Sequence, residues 1–202
     1  NHGGILVIGD PHIQVSSIVN SKEMIDKHVK LARSRKPDAI VILGDVLHDH
    51  ERLHTTALNM AIDWITDLAA LAETWILVGN HDYVNNSQFL TEKHWMTALK
   101  GRSGIHVVDS VKATTIIDMN VVLVPFVPPG RFIEALDTLH LDGSDHWKEW
   151  KDADIIFAHQ EFRGCRMGAI ASEHGDVWKR DFPMVVSGHI HSNQRLQENI
   201  YY

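Results

Sequence analysis

The chain has 202 residues, 44% of them apolar and 22% charged, with a formal net charge of −7. That balance suits one globular domain with a single sizeable core, and it excludes a protein that coats nucleic acid through bulk positive charge. No apolar run approaches the roughly 20 residues needed to span a bilayer, and the N-terminus does not read as a signal peptide. The one cysteine, Cys165, has no internal partner for a disulfide, which points to a reducing, cytoplasmic setting.

Ile5–Ile8 reads as a buried strand ended by Gly9. Residues 17–35 read as a helix with Ile25, Val29 and Ala32 on one stripe, stopped by Lys36-Pro37. Ala39–Leu43 is the next strand, 55–72 the clearest amphipathic helix, and Thr74–Val78 a third strand. This alternation predicts a parallel sheet. Residues 86–100 suggest a further helix. Short runs at 105–108, 113–117 and 121–124 then predict a meander. Helices are expected over 131–140 and 145–151, and buried strands at 154–158 and 184–187.

Residues 160–182 show no periodicity and read as a loop or lid, a kind of connection that is usually functional. Arg163, Arg166, Trp178, Lys179 and Arg180 in it suit contact with a nucleic-acid end. They equally suit a cover over a small phosphodiester, and Phe162, Trp178 and Phe182 suit packing the segment down. The sequence ends at Ile200–Tyr202 inside an apparent strand, so a longer natural chain is expected.

Five motifs carry the chemistry: Gly9-Asp10-Pro11-His12, Gly44-Asp45-Val46-Leu47-His48, Gly79-Asn80-His81-Asp82, Ala158-His159 and Gly188-His189-Ile190-His191. One such dipeptide after a strand is ordinary turn chemistry. Five in order, most of them just after an apolar strand, converge at the carboxyl edge of a sheet, where α/β proteins build sites. Imidazoles, carboxylates and an amide oxygen without thiolate suit Mn²⁺, Fe or Zn²⁺. Seven such residues exceed one tetrahedral ion and suit two divalent ions sharing a carboxylate.

The ordered set GDPH, GDVLH, GNHD, AH and GHIH resembles the calcineurin-like metallophosphoesterase superfamily, from Asp10 to His191. The resemblance implies a four-layer α-β-β-α sandwich of two mixed sheets flanked by helices, filling residues 1–202 as a single catalytic domain. It implies that Asp10, His12, Asp45 and His191 hold one metal, Mn²⁺ first with Fe or Zn²⁺ also accepted. Asp45, Asn80, His159 and His189 would hold the other. It implies that a metal-bound hydroxide attacks phosphorus while His81 protonates the leaving oxygen or stabilises the transition state. Asp82 would orient His81 or cap a following helix.

Within the superfamily, protein phosphatases carry Asp-Arg after the bridging Asp and then GNHE, whereas this chain has His48-Asp49 and GNHD. Purple acid phosphatases place a Tyr at the position of His48. An apolar pair followed by His48 instead resembles the SbcD-type nuclease subunit of double-strand-break repair exonucleases, where this His lies near the scissile phosphate. That implies DNA as partner, an ATPase subunit and a possible homodimer, with a small-molecule phosphoesterase as the competing reading and a non-catalytic scaffold as a third. Residues 22–36 hold six basic and two acidic side chains, which suits phosphate contact or a solvated helix face. Of the other histidines, His50 and His54 follow Asp45 closely enough to line the site. Of His2, His28, His94, His106, His140, His146 and His174, most are expected at the surface, and Cys165 as a buried or inert thiol.

Overall fold

In the computed structural model, which describes residues 3–141, 147–191 and 193–202, two sheets lie face to face between outer layers. The first sheet is parallel throughout, in the order β1 (Ile5–Ile8), β2 (Ala39–Ile42), β3 (Glu73–Leu77), β4 (Ile105–Val108). Helices α1 (Ile18–Arg35) and α2 (Thr55–Leu71) are its crossovers. The second sheet is mixed. Its order is β11 (Arg195–Gln197), β12 (Ile200–Tyr201), β10 (Met184–Ser187), β7 (Ile155–Ala158), β6 (Met119–Leu123), β5 (Lys112–Ile116). The short hairpin β8 (Arg166–Met167) and β9 (Ile170–Ala171) stands apart from both.

Strand alternation builds the layers. Ile40, Ile42 and Ile76 face α1 and α2, where Ile25, Ala32, Trp64, Ile65 and Leu68 close the first core. Ala39, Val41, Leu43 and Leu77 face inward onto Val121, Leu123 and Phe157, so the middle core is sheet against sheet. Val122, Val124, Ile156, Val185 and Ile200 face out and are covered by Phe132, Leu136, Trp150, Phe162 and Trp178. Each fully buried aliphatic or aromatic side chain in these layers contributes about 1.5–3 kcal/mol. This is the expected four-layer sandwich, with the last layer made of one short helix, α3 (Phe132–Leu136), and aromatic loop residues. Among the described residues no helix is long and apolar enough to cross a membrane.

Four expectations are corrected. The helix over 86–100 shrinks to one 3₁₀ turn, Trp95–Leu99. Asn85 Oδ1 accepts from the Ser87 amide, the Ser87 hydroxyl and Gln88 Nε2, local bonds that compete with a helix, and Leu90 takes a left-handed φ of 52°. The meander loses its first member, because β4 pairs parallel with β3 and only β5 and β6 form a hairpin. The helix over 131–140 stops at Leu136, where Thr138 Oγ1 turns back onto the Ala135 carbonyl. Of 145–151, only a 3₁₀ turn at Trp150–Asp152 is helical; residues 145 and 146 lie outside the described residues, as do His2 and Ser192.

Candidate metal centre

Asp10 follows β1, Asp45 follows β2, Asn80 follows β3, His159 follows β7, and His189 and His191 follow β10. Parallel β1, β2, β3 and parallel β7, β10 all point their carboxyl ends the same way within each sheet, so the five loops meet at one rim. The meeting requires backbone that ordinary residues avoid. His12, Asp45 and His189 have φ of 46°, 50° and 84°. Left-handed non-glycine residues cost on the order of 1 kcal/mol or more each and cluster at functional sites. The glycines give close approach: a Cβ on Gly79 would overlap Asp45, and one on Gly188 would overlap Asp10 Oδ1.

The seven expected ligands fall into two adjoining groups. Asp10, His12 and His191 can offer one ligand atom each within a 4.8 Å cluster, and so can Asp45, His159 and His189. Asp45 stands between them, with Oδ2 3.5 Å from His12 Nε2 and 3.2 Å from His159 Nε2. Asn80 Oδ1 completes the second group, 2.9 Å from His159 Nε2 and 3.1 Å from His189 Nδ1. All seven side chains expected from the sequence are therefore brought together.

The donor set fits cations for a reason visible in the bonds. His159 Nδ1 donates to the Leu43 carbonyl at 2.7 Å, so its neutral tautomer turns a bare lone pair toward Asp45 and Asn80. A lone pair, a carboxylate and an amide oxygen then face each other and need a positive charge between them. Asp10 Oδ1 and His12 Nε2 are likewise buried without a hydrogen-bond partner. Burying such atoms unsatisfied costs about 1–3 kcal/mol each. Turned the other way, the Asn80 amide would donate to Asp45 Oδ2 at 3.1 Å and to both imidazoles. The oxygen-inward orientation is the one that suits a cation.

Protons take up the same need. Burial pushes the Asp10 carboxyl up to about 7, with the Asp45 charge adding and His159 opposing. Burial would lower His159, but the Asp45 and Asp10 charges outweigh it and hold the imidazole at about 10. Asp45 is correspondingly held well below the usual carboxylate range: burial works against this, and the His159 and His12 imidazoles overcome it. Burial drives His12 down to about 4 and His189 to about 3, so both stay neutral ligand types at neutral pH.

His48 and His81 come together on the flank of the first group. His48 Nδ1 lies 3.4 Å from His12 Nδ1, and His81 Nδ1 lies 2.6 Å from the His48 carbonyl. The His81 ring is stacked between His48 and His50, with centroids at 5.3 and 4.9 Å. Burial lowers the His81 pKa. His50, one of the two nearby histidines, is thus part of the wall, its Nδ1 held by the Tyr83 carbonyl at 3.0 Å. His54 is exposed and pairs loosely with Asp49 at 3.7 Å.

Asp82 neither orients the His81 ring nor caps a helix, since no helix follows. It is buried, and its carboxylate accepts from the amides of Gly79, Val46 and Leu47 and from Trp95 Nε1. It clamps the loop bearing Asp45 to the loop bearing Asn80 and His81. Burial and the Asp45 charge raise its pKa to about 6. Sequence reasoning missed this clamp, the Trp95 donor and the carbonyls of Leu43, His48 and Tyr83, because a backbone carbonyl leaves no residue signature.

Of the remaining histidines, His94 is buried rather than exposed, bonded to Asp109 at 2.8 Å. His28 is half-buried against Trp64, and His106 stacks on Trp75. Cys165 is buried and its thiol pushed up by burial, the inert state expected of it. Phe162 and Trp178 are buried in the outer core, so they hold the 160–182 segment down.

Comparison with known proteins agrees with this geometry. The family model described as Calcineurin-like phosphoesterase matches residues 4–193. Protein 244L of Invertebrate iridescent virus 6 is 50% identical over 98% of this chain and 68% of its own length. Protein 078R of Invertebrate iridescent virus 3 is 48% identical over 100% of this chain and 57% of its own. Both are named provisionally as phosphoesterases. The chain therefore spans about two thirds of one relative and little more than half of the other. A crystal structure of Pseudomonas putida nuclease MPE aligns with a TM-score of 0.40 and 13% identity, over 80% of this chain and 61% of that one. A likeness that distant assigns no substrate. With its family motifs matched end to end and their side chains gathered at one rim, the chain belongs to the calcineurin-like phosphoesterases, metal-dependent hydrolases of phosphate esters.

Proposed function

We propose that this centre cleaves phosphodiesters, with DNA as the substrate and Mn²⁺ as the working metal. The observation that supports it most is the placement of His48 beside His81 on the open flank of the first ligand group. A nucleic-acid diester leaves as a sugar alkoxide, a poor leaving group that needs a proton. Two imidazoles with different proton positions suit that demand.

Two divalent ions, held by Asp10, His12, Asp45 and His191 and by Asp45, Asn80, His159 and His189, would supply Lewis-acid polarisation of the phosphate and a more acidic water. The chain's own residues do the rest. His12 turns Nε2 toward Asp45 and Asp10, so as a ligand through that atom it carries its proton on Nδ1. That proton points at His48 Nδ1, which leaves His48 with its own proton on Nε2, a hydrogen-bond donor for a phosphate oxygen. His81 has the opposite arrangement. Its Nδ1 proton is spent on the His48 carbonyl, so only its second proton, on Nε2, can be given to the leaving oxygen. His50 also stacks on His81, with centroids at 4.9 Å.

The competing small-ester reading draws on a cavity of about 530 Å³ beside His189 and His191, the size of a small-ligand site. The test is Mn²⁺-dependent cleavage of single- and double-stranded DNA beside bis-p-nitrophenyl phosphate. Cleavage of DNA is the expected result. Turnover of the small ester with no cleavage of any nucleic acid would contradict the nuclease reading.

A further inference from the structure

The cavity beside His189 and His191 has a second wall: Arg166, Met167 and Gly168 of the β8–β9 hairpin face Ile190 and both histidines across it. The hairpin is a firm element. Gly164 N donates to the Ser172 carbonyl and Ser172 N to the Cys165 carbonyl, both at 2.9 Å or less, closing its base. Gln194 clasps the Arg166 backbone from both sides: its Oε1 accepts from Arg166 N at 2.9 Å and its Nε2 donates to Arg166 O at 3.2 Å. Gln194 stands three residues past His191, so the wall is tied to the metal rim itself.

The charges of this segment are sorted. Asp176 is buried, accepting from Gly130 N, Phe132 N and Gln160 Nε2, and Glu161 accepts from the Ser172 hydroxyl. Arg163 and Arg166 are exposed. Among the described residues the Arg166 guanidinium has no acidic or hydrogen-bonding partner of its own, although its backbone is pinned. An unpaired cation on a hydrogen-bonded wall, next to a phosphate-cleaving centre, suits an anionic group of the substrate.

A second groove of about 400 Å³ shares Arg166 with the first. It is lined by Gly164, Asn193, Leu196 and Arg195, and Arg166 borders both. Arg166 therefore borders both a cavity that reaches His189 and His191 and a groove that reaches Arg195, which lies over the Tyr201 ring. A small ester fills the first cavity only. A polynucleotide strand is long enough to use both.

Building on the nuclease reading, we propose that Arg166 is a substrate-binding residue that grips the phosphate next to the scissile one, with Met167 and Ile190 packing the intervening sugar and base. The β8–β9 hairpin is then the element that makes this site prefer a polynucleotide strand over a small diester.

Two readouts test it. The first is binding of a fluorescein-labelled single-stranded oligodeoxynucleotide to the metal-free protein by anisotropy, across a salt series. Arg166→Ala should weaken binding roughly 10-fold and reduce the slope of log affinity against log salt by about 0.7, the share of one single-strand phosphate contact. The second is kcat/KM in Mn²⁺. The loss in Arg166→Ala on the oligonucleotide should exceed its loss on bis-p-nitrophenyl phosphate at least 10-fold and fall mainly in KM, with Arg166→Lys intermediate. Equal losses on both substrates, or an unchanged salt slope, would overturn the role of Arg166 while leaving the nuclease reading standing. A wild-type protein that turns over the small ester but neither binds nor cleaves the oligonucleotide would overturn both.

Discussion

The Nδ1 of His81 sits 2.6 Å from the backbone carbonyl of His48, and in the proposed reaction this one bond divides the work of the two imidazoles. It spends the first proton of His81, so His81 can act as an acid only when doubly protonated. His48, met at Nδ1 by His12, keeps its donor on the outward nitrogen.

The kinetic consequence is specific. His81→Asn should lower kcat by on the order of 10²- to 10⁴-fold, the usual range for a lost general acid. The wild-type kcat profile should fall as pH rises through the His81 pKa of the substrate complex, and the residual activity of His81→Asn should lack that limb. His48→Gln, which keeps a donor, should retain more activity than His48→Ala. Metal content of all three, measured beside the rates, should match wild type. A His81→Asn enzyme with wild-type kcat would remove His81 from the reaction.

Metal binding should be strongly proton-linked. In the metal-free protein Asp10 keeps its proton up to about pH 7 and His159 up to about 10. A cation must displace both, so affinity rises with pH across 6 to 8, up to tenfold per pH unit per proton released. Without metal the sign for stability is opposite at Asp10. Its folded pKa is raised, so it contributes stability below the unfolded value of 3.8 that is lost as pH rises through about 7. Mn²⁺ at 100 times Kd should add about 2.7 kcal/mol per site, roughly 5–10 °C in Tm for a domain of this size. Thermal melts at pH 6 and 8, with and without Mn²⁺, check this; an equal metal-induced shift at both pH values would contradict it.

Asp82 should matter for folding more than for chemistry. Removing its carboxylate strands three amides and the Trp95 indole N–H in a buried place. Asp82→Ala should cost about 3 kcal/mol. Asp82→Asn should not rescue it, because one end of the amide would turn N–H groups toward N–H donors. Urea unfolding of both variants measures the cost. Stability within about 0.5 kcal/mol of wild type would refute the clamp.

Much of this was legible in the sequence because the motifs sit where strand periodicity breaks. The runs before Asp10, Asp45, Asn80, His159 and His189 are apolar and short, and each became a strand that delivers its side chain to one rim. The two long helices were legible from their stripes. Misreadings came where local polar bonds decide the backbone. Asn85 ties down Ser87 and Gln88, and a helical pattern at 86–100 yields to loop. The placement of β4 depended on which sheet edge the chain returned to, which period alone does not encode. Asp82 looked like a cap because two of its partners are backbone amides from a loop about 35 residues away, which leave no sequence signal.

Close packing at the motif glycines gives another test. Gly188→Ala puts a methyl against Asp10 Oδ1 and 3.0 Å from the Leu43 carbonyl oxygen. Asp10 also accepts from His189 N at 2.8 Å, so both would have to move. The variant should lose about 1–3 kcal/mol of stability and bind metal at least tenfold more weakly, read by calorimetric titration. Binding within twofold of wild type would mean that this approach does not shape the site.

The proposed two-ion centre is joined at Asp45, whose Oδ2 faces His12 and His159. Calorimetric titration of the metal-free protein with Mn²⁺ at pH 7.5 tests it most directly. Two equivalents should bind to wild type, and Asp45→Ala should bind neither tightly. A single equivalent in wild type, or two undiminished equivalents in Asp45→Ala, would contradict the account.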